Sequence, residues 1–154
     1  MWLKILICIA VIAFCTGLGY LISGKYRARK KFYTQFCAFN ERYLNELTFT
    51  RKPLSAFLKE YDYTGDFGKT VEAAEKREGE IKYSYLSKEE KKTVNDYFQM
   101  LGKGDSASQK NFFAAQKAAL EEKRADSEKQ AKARSELYLK LGLLLGLAIV
   151  ILIL

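Results

Sequence analysis

The sequence predicts an all-α protein: a membrane-anchored helical bundle with an N-terminal and a C-terminal transmembrane helix. Three observations indicate this class. Both ends of the 154-residue chain are apolar, the residues between them repeat apolar positions at helical spacing, and the whole chain contains one proline. We therefore predict a transmembrane helix over 1–24, a cytoplasmic helical domain over 25–136 and a second transmembrane helix over 137–154.

The first apolar run is long enough to cross a bilayer. It extends without charge from Ile5 to Ile22, over 18 residues, and a helix of that length comes close to spanning a hydrocarbon core of roughly 30 Å. Trp2 and Tyr20 suit the two interfaces. A cleaved signal peptide is the alternative, but its positive charge precedes the apolar stretch. Here Lys4 alone precedes the run and five cations follow it closely, which favours a retained span.

The last apolar run, Leu141 to Leu154, has 14 residues and is short for a span. The preceding turn, from Leu137, lengthens it because Lys140 can extend its ammonium group to the headgroups. A buried core helix is the alternative. Since the run is apolar all round, with no polar face, we expect a transmembrane helix.

Basic residues follow the first apolar run and precede the second, so both clusters lie on the segment between the runs, and they predict the orientation of the protein. The juxtamembrane cations after the first run are Lys25, Arg27, Arg29, Lys30 and Lys31; those before the second are Lys123, Arg124, Lys129, Lys132, Arg134 and Lys140. Lys and Arg near membrane ends stay on the cytoplasmic side. We therefore expect the segment between the runs in the cytoplasm, where these cations can also contact anionic membrane lipids.

The first helix of the domain continues from the membrane, from Gly24 to Thr48. An apolar stripe with spacings of four, three, four and four follows one face of it: Phe32, Phe36, Phe39, Tyr43 and Leu47. Core packing is the expected role of this stripe, and a cofactor-stacking surface is the alternative. Pro53 then opens a short helix that extends to Tyr61, because proline is tolerated in a first helical turn.

The middle of the domain contains the third and fourth helices. The third is predicted over Asp66 to Arg77 and is closed by Gly79. Ile81 to Tyr85 then connects it to the fourth. A capping box, Ser87 to Glu90, starts the fourth helix, because the first side chain caps the backbone and the last reaches back to the first residue.

The last helix is predicted to be long. The fourth helix stops at Gly102, and Asp105 or Ser106 caps its successor. No glycine or proline then intervenes until Gly142, so one helix should continue into the second span. Its charged, alanine-rich part, Leu120 to Ser135, is expected to be a solvated stalk or a weak helix–helix seam.

The turn Leu101 to Asp105 is the candidate docking site for a partner. It precedes a helix that leads to the bilayer, so we expect it at the end of the domain remote from the membrane. That position would present Lys103 and Asp105 to a cytoplasmic protein. The alternative is purely structural: Gly102 and Gly104 let the chain reverse, and Asp105 caps a helix.

Composition excludes several classes of enzyme. The chain has no histidine and three cysteines. A Ser-His-Asp or Cys-His catalytic group is thereby excluded, as are histidine-containing zinc sites and a four-thiolate zinc site. Carboxylates, lysines or Cys37 remain as candidate catalytic groups, and no recognisable motif brings any of them together. We therefore expect no enzymatic activity, no cofactor and no metal site.

Two segments look like the phosphate-binding loop of nucleotide-binding proteins, and both fail its requirements. Gly19 to Lys25 has the glycine and lysine spacing, but Tyr26 stands where serine or threonine would hold magnesium. Gly68-Lys69-Thr70 has the correct ending, but Gly65 lies too close before it. The net charge of +8 suits nucleic acid, yet the cations gather beside the predicted spans. No nucleic acid partner is therefore expected.

Three motifs follow one another along the chain: Thr50-Arg51-Lys52-Pro53-Leu54-Ser55-Ala56-Phe57, then Leu101-Gly102-Lys103-Gly104-Asp105 followed by Gln109, and last Leu141-Gly142-Leu143-Leu144-Leu145-Gly146-Leu147. These motifs resemble the stage III sporulation protein AB family. The order and spacing of these motifs, together with the two terminal spans, extend the resemblance over nearly the whole chain.

The resemblance implies a fold, a role and partners. The implied fold is a helical domain similar to the cytoplasmic domains of type II secretion and type IV pilus inner-membrane platform proteins. The implied role is a non-catalytic platform in a channel-like complex between mother cell and forespore. A secretion-type ATPase and other membrane subunits of that complex are the implied partners. The alternative is a membrane-anchored protein whose basic surface binds anionic lipid or nucleic acid, which strong loss of binding with added salt would favour.

Overall fold

The structure, a computed structural model, describes residues 2–50, 52–76, 81 and 83–153. The regular elements within these residues are helical, which confirms the predicted all-α class. They are α1 Trp2–Asn45, α2 Leu54–Glu60, α3 Gly65–Lys76, α4 Lys88–Met100 and α5 Ser106–Ile153, with a π-helical turn, Glu46–Thr50, that continues α1. As predicted, α1 and α5 each run without a break from an apolar terminal stretch into a charged one.

Most helix ends coincide with the sequence signals. Ser87 and Glu90 form the predicted capping box, in which the Glu90 backbone donates to the Ser87 hydroxyl at 3.1 Å and the Ser87 backbone donates to the Glu90 carboxylate at 3.0 Å. α4 ends just before Gly102, whose φ of 71° is a left-handed conformation that glycine adopts readily. α3 starts within one residue of its predicted start. Its predicted end, at Arg77 and Gly79, lies outside the described residues.

Two helix ends differ from the prediction. Pro53 precedes α2 as its N-cap instead of occupying the first turn, and its carbonyl accepts the Phe57 backbone N–H at 3.1 Å. α1 loses α-helical form after Asn45, where the π-helical turn begins. Within that turn the Thr48 hydroxyl donates to the Leu44 carbonyl at 2.8 Å, and side-chain bonds of this kind compete with regular backbone pairing.

Contacts divide the chain into two compact units. The first, Ala28–Asp126, is called the aromatic unit; the second, called the apolar unit, combines Met1–Arg27 with Ser127–Leu154. Both α1 and α5 contribute to each unit. The membrane boundaries after residue 24 and before residue 137 remain predictions.

Aromatic rings fill the core of the aromatic unit. Four of the five residues of the predicted stripe are almost completely buried there, which confirms core packing for them: Phe32 1%, Phe36 1%, Phe39 0% and Tyr43 4% exposed. The fifth, Leu47, lies in the π-helical turn and is half-buried against this core. Each other helix contributes buried rings, among them Phe57 from α2, Phe67 from α3, Tyr97 from α4 and Phe113 from α5. Many ring pairs meet edge to face, as Phe36 and Tyr97 do at a centroid separation of 4.7 Å. This geometry is the one that ring quadrupoles favour.

A buried amide ties three helices together within this core. Asn40, on α1, is 1% exposed. Its Nδ2 donates to the Phe113 carbonyl of α5 at 3.2 Å, and its Oδ1 accepts the Tyr97 hydroxyl of α4 at 2.8 Å. A buried amide without partners would destabilise the fold, so these bonds select one arrangement of the three helices.

The apolar unit packs α1 against α5 through glycine. A Cβ at Gly19 would collide with the Tyr138 carbonyl, and one at Gly142 would lie 2.7 Å from the Cys15 carbonyl oxygen. Small residues at such crossings let two helix backbones approach closely, which is how transmembrane helices commonly associate.

Both apolar helices have the length and composition needed to cross a membrane, and 6% of the residues in each apolar window are buried. A core helix of a soluble protein would be mostly buried, so the low burial favours membrane association. The large side chains on the outer faces, such as Leu6, Phe14 and Leu144, are exposed. They present an apolar surface that lipid tails can cover.

Candidate functional site

The predicted docking turn, Leu101–Asp105, has a defined backbone conformation. We call it the glycine turn. Gly102 and Gly104 have φ angles of 71° and 85°, which residues with a Cβ rarely adopt. The Asp105 carboxylate accepts the Ser108 backbone N–H at 3.2 Å and thereby caps α5. Hydrogen bonds from the Ser108 side chain and backbone hold the pKa of Asp105 below its ordinary value.

Gln109 anchors this turn to the core. Its Nε2 donates to the Lys103 carbonyl at 3.0 Å, and its Oε1 accepts the Tyr43 hydroxyl of α1 at 2.6 Å. Gln109 and Tyr43 are 6% and 4% exposed, respectively. Buried side chains therefore hold the backbone of Lys103 in place while the Lys103 side chain stays exposed.

Gln109 was singled out in the sequence by resemblance alone, and its anchoring role was missed. One signal could have found it. Gln109 follows Asp105 by four residues, and side chains four apart lie on the same face of a helix. A side chain at that position can reach back over the turn. The second half of the anchor, Tyr43, comes from α1 and is brought there by tertiary packing.

A groove of about 1000 Å³ lies beside the glycine turn. α2, α3, α4 and the turn line it, with an apolar part formed by Leu54, Leu58, Ala73, Ala74, Phe98 and Leu101. Lys69 and Lys103 belong to the same lining. Uncharged polar side chains and the Glu75 carboxylate also line the groove, and such a mixed surface suits recognition of a partner. Sequence spacing does not predict this groove, because its lining comes from α2, α3, α4 and connecting segments.

Arg29, one of the predicted juxtamembrane cations, is buried in an ion pair of the aromatic unit. Arg29 is 9% exposed. Its guanidinium lies 2.6 Å from Glu90 Oε1 and 3.2 Å from Asp126 Oδ2. Lys123 Nζ lies 3.6 Å from the same Glu90 oxygen. Arg29 thus joins α1, α4 and α5 inside the aromatic unit.

The pKa values of this ion pair reflect the balance between burial and charge. Burial acts to lower the pKa of Arg29, but hydrogen bonding and attraction to Glu90 outweigh it, so the Arg29 pKa is raised. Burial acts to raise the pKa of Glu90, but the Arg29 and Ser87 bonds outweigh it and the Glu90 pKa is lowered. Both groups are therefore charged at neutral pH.

The other four cations of the first cluster occupy different surroundings. Lys25 and Arg27 belong to the apolar unit, where each stands over a tyrosine ring. Lys30 is half-buried and Lys31 is exposed, both in the aromatic unit. Of the five predicted juxtamembrane cations after the first run, Arg29 is thus buried in an ion pair. The other four are half-buried or exposed.

Cys37, one of the candidate catalytic groups, is buried in the aromatic core. Cys37 is 5% exposed, and burial raises the pKa of its thiol to about 11. The thiol is therefore protonated at neutral pH, whereas a nucleophilic cysteine reacts as the thiolate. In the described part of the chain, no group of three or more Cys, Asp or Glu side chains could hold a metal ion.

The two loops that resemble phosphate-binding loops are parts of helices. Gly19 lies inside α1, and Gly68 lies inside α3. At each position a Cβ would collide with a backbone carbonyl, of Tyr138 and of Tyr63 respectively. These glycines therefore serve close packing, and neither stands in the strand–loop–helix context that a phosphate-binding loop needs.

These features define a class: a small helical protein with two membrane-length apolar helices, an aromatic-cored helical body and an anchored, exposed turn. The chain belongs to the stage III sporulation protein AB (spore_III_AB) family, whose match covers residues 65–154. The matched part includes α3, α4, the glycine turn and α5. No curated protein and no solved structure matches the chain.

Family membership implies a sporulation-related role. The family is one of structural or assembly proteins and is not known as catalytic. The resemblance drawn from the three motifs is therefore confirmed at the level of the family. The first motif, Thr50 to Phe57, precedes the matched residues.

Proposed function

We propose that this protein is a non-catalytic platform subunit of a sporulation-specific, secretion-like channel complex and that it docks a cytoplasmic secretion-type ATPase. The observation that carries the docking proposal is the buried anchor of the glycine turn. Exposed turns are usually among the mobile parts of a protein. Here Gln109 and Tyr43 hold the backbone of Lys103 from inside, which favours a recognition surface.

The packing of the aromatic unit supports the platform role. A subunit that transmits force between a motor and membrane components must resist deformation. Asn40 links three helices by hydrogen bonds, and the Arg29–Glu90–Asp126 cluster links the same three helices by charge. Directional bonds of both kinds restrict sliding of one helix past another.

The groove beside the glycine turn extends the proposed docking surface. Leu54 and Phe98 line it together with Lys69 and Lys103. A partner segment that fits would pair an apolar side chain with a carboxylate. The apolar group would contribute affinity by leaving water, whereas the carboxylate would contribute register and encounter rate.

The proposed orientation places the domain between the spans in the cytoplasm, on the mother-cell side. The cations that flank both apolar runs support this orientation. Other membrane subunits of the complex would then contact the lipid-facing sides of α1 and α5. Both helices would cross the bilayer, so the two termini would lie on the opposite side.

A charge reversal tests the docking surface. Lys103→Glu should weaken binding of the purified ATPase to the full chain in detergent by about tenfold or more, since it replaces attraction by repulsion at a fixed position. Lys110→Glu is the matched control: it makes the same charge change at an exposed α5 position outside the groove lining. Titration by biolayer interferometry measures both.

A second variant separates the turn from the groove. Ser55 is an exposed residue of the groove lining, so Ser55→Trp fills the groove without entering the core. If the groove belongs to the surface, this variant also loses binding. ATPase binding that is unchanged in Lys103→Glu would contradict docking at the turn, whatever the Ser55→Trp result.

Cysteine labelling tests the orientation. Ser84 lies at an exposed turn, and Ser84→Cys should resist a membrane-impermeant thiol reagent in intact cells and react after lysis. The native cysteines give little background, because Cys37 is buried and Cys8 and Cys15 lie in the first apolar run. Labelling of intact cells would reverse the proposed orientation.

A further inference from the structure

Two tyrosines stack across the helix pair of the apolar unit. Tyr26 on α1 and Tyr138 on α5 have ring centroids 6.2 Å apart and an angle of 23° between the ring planes. The backbone beneath them is closely packed, because a Cβ at Gly19 would collide with the Tyr138 carbonyl. Glycine packing therefore sets the separation of the two helices at the level of these rings.

One cation from each helix stands over the Tyr26 ring. Lys25 Nζ lies 5.1 Å from its centroid, and the Arg134 guanidinium carbon lies 6.0 Å from it. Both side chains are exposed. Within the described residues, no carboxylate lies within ion-pair distance of either cation. Each helix thus places one cation near the Tyr26 ring, and neither cation has an acidic group of the described residues beside it to neutralise its charge.

Arg27 behaves differently, although it is a neighbour in sequence. Its Nη2 donates to the Tyr20 carbonyl at 2.9 Å, and its guanidinium carbon lies 3.7 Å above the centre of the Tyr20 ring. The Arg27 guanidinium is therefore engaged within the protein. The pair Lys25 and Arg134, not every basic residue near the membrane, is placed to receive an external anion.

The position of this pair along the helices indicates the depth of the site. Lys25 and Tyr26 follow the uncharged run that ends at Ile22, and Tyr138 precedes the run that begins at Leu141. For two helices that cross a bilayer, these positions fall at the headgroup level, where tyrosine and basic residues are enriched. The anions at that level are lipid phosphates.

We propose that Lys25 and Arg134 bind the phosphate of one anionic phospholipid headgroup over the Tyr26–Tyr138 pair. Charge-assisted hydrogen bonds from an ammonium and a guanidinium suit a phosphodiester, and basic sites between transmembrane helices are known to suit anionic headgroups. A zwitterionic headgroup fits less well because it brings its own cation. The inference depends on membrane insertion and is independent of ATPase docking.

Lipid titration of the full chain in detergent micelles tests the site. Native mass spectrometry would count phosphatidylglycerol or phosphatidylcholine molecules retained by the wild type and by variants. We expect the wild type to retain one molecule of phosphatidylglycerol in preference to phosphatidylcholine. Lys25→Gln with Arg134→Gln should weaken that binding by about tenfold or more, since two charged contacts are lost.

Lys129→Gln with Lys132→Gln is the matched control. It removes the same charge from two exposed positions of the same unit and should change phosphatidylglycerol binding by less than about twofold, because the proposed site uses the two cations beside the Tyr26 ring, Lys25 and Arg134. Thermal unfolding should be the same for both double variants, which checks that the fold is retained.

Three results would overturn the proposal. Equal losses in the two double variants would mean that diffuse charge attracts the lipid. Equal retention of phosphatidylcholine and phosphatidylglycerol by the wild type would mean that the site does not select an anionic headgroup. Displacement of the lipid by millimolar inorganic phosphate would mean that the site takes a free phosphate. Loss of ATPase binding with lipid binding intact would leave this proposal standing.

Discussion

The same two helices, α1 and α5, pack together in both units by opposite means. In the aromatic unit large rings meet, as Tyr43 and Phe113 do at 4.9 Å between centroids. In the apolar unit the contact is made by glycine, and Gly142 would bring a Cβ to 2.7 Å from the Cys15 carbonyl oxygen. The difference follows the solvent. Moving a ring out of water into a protein core gains about 25 cal/mol per Å² of apolar area. Helices surrounded by lipid tails gain nothing of this kind by associating, so close contact between their backbones becomes the favoured interaction.

Polar side chains show the same contrast. The aromatic unit has local side-chain bonds, such as that of Thr48 to the Leu44 carbonyl, and in addition Asn40 and Gln109 reach other helices or turns. In the apolar unit Thr16 and Ser23 donate to carbonyls three or four residues back on their own helix, at 2.8 Å in both cases. No buried side-chain polar atom of the described residues lacks a partner. Local bonds satisfy a polar group in lipid, whereas bonds between helices also specify the packing of a water-soluble body.

The largest expected effect is a test of the aromatic core. Phe36 is 1% exposed and Phe49, on the π-helical turn, is 81% exposed. Phe36→Ala should destabilise the fold by about 3–5 kcal/mol, through lost burial and the cavity left behind. Phe49→Ala should stay within about 0.5 kcal/mol. Far-UV circular dichroism of the full chain in detergent would follow the thermal unfolding. Equal effects at both positions would contradict a core built on buried rings.

The next effect tests charge within the aromatic unit. Glu90→Gln should cost on the order of 1.5–3 kcal/mol at neutral pH, because hydrogen bonds to a charged partner, Arg29, are lost. The Glu90 pKa is lowered in the folded state. Its charge therefore contributes stability that is fully present above the unfolded pKa of about 4.3 and is lost as pH falls through the lower folded pKa.

Denaturant titration over a pH series measures this dependence. The stability difference between wild type and Glu90→Gln should shrink as the pH falls below about 4.3. A difference that stays constant down to the folded pKa and below it would show that the variant acts through packing, not through charge.

A smaller effect tests glycine packing in the apolar unit. Gly19→Ala should destabilise the helix pair, because a Cβ there collides with the Tyr138 carbonyl, whereas Gly17 has open space within 4 Å. Overpacking costs about 1–3 kcal/mol, and the better helix propensity of alanine offsets up to about 1 kcal/mol of it. Gly17→Ala should be neutral or slightly stabilising. Unfolding in mixed micelles of dodecyl sulfate and a mild detergent compares them, and equal stability of both variants would refute close packing at Gly19.

The smallest effect concerns the exposed side chain of Lys103 in the glycine turn. Lys103→Glu should change the stability of the aromatic unit by less than about 0.5 kcal/mol, since the side chain is exposed and the buried anchor uses its backbone carbonyl. Gln109→Ala should destabilise by more, because it leaves that carbonyl and the Tyr43 hydroxyl without their partner. The same thermal unfolding measurement applies. A larger effect for Lys103→Glu would assign its side chain a structural role.

Local signals predicted the elements well. The Ser87–Glu90 box, the stop at Gly102 and the α1 stripe depend on residues within two helical turns, and sequence spacing determines such contacts directly. The π-helical turn after Asn45 was missed, because it lies between two geometries of nearly equal local energy.

Site residues were harder to place. Lys103 and Asp105 were chosen because their turn precedes the long helix that leads to the second apolar run, and their role in docking stays a prediction. Arg29 was grouped with its neighbours as a juxtamembrane cation, although it is buried against Glu90 and Asp126. Those carboxylates lie 61 and 97 residues away in sequence. No local pattern distinguishes a lysine or arginine that meets lipid from one that meets a distant carboxylate.

By itself the sequence determined the helical class, the two membrane-length runs, the helix caps and the absence of histidine chemistry, because each depends on composition or on neighbours in the chain. The tertiary structure alone decided which cations are buried, how Gln109 and Tyr43 hold the glycine turn, and that Lys25 and Arg134 both lie near the Tyr26 ring. The physical reason is that hydrogen bonds, ion pairs and grooves between helices depend on distances in space. Residues far apart in the chain become neighbours only when aromatic burial and glycine packing have brought their helices together.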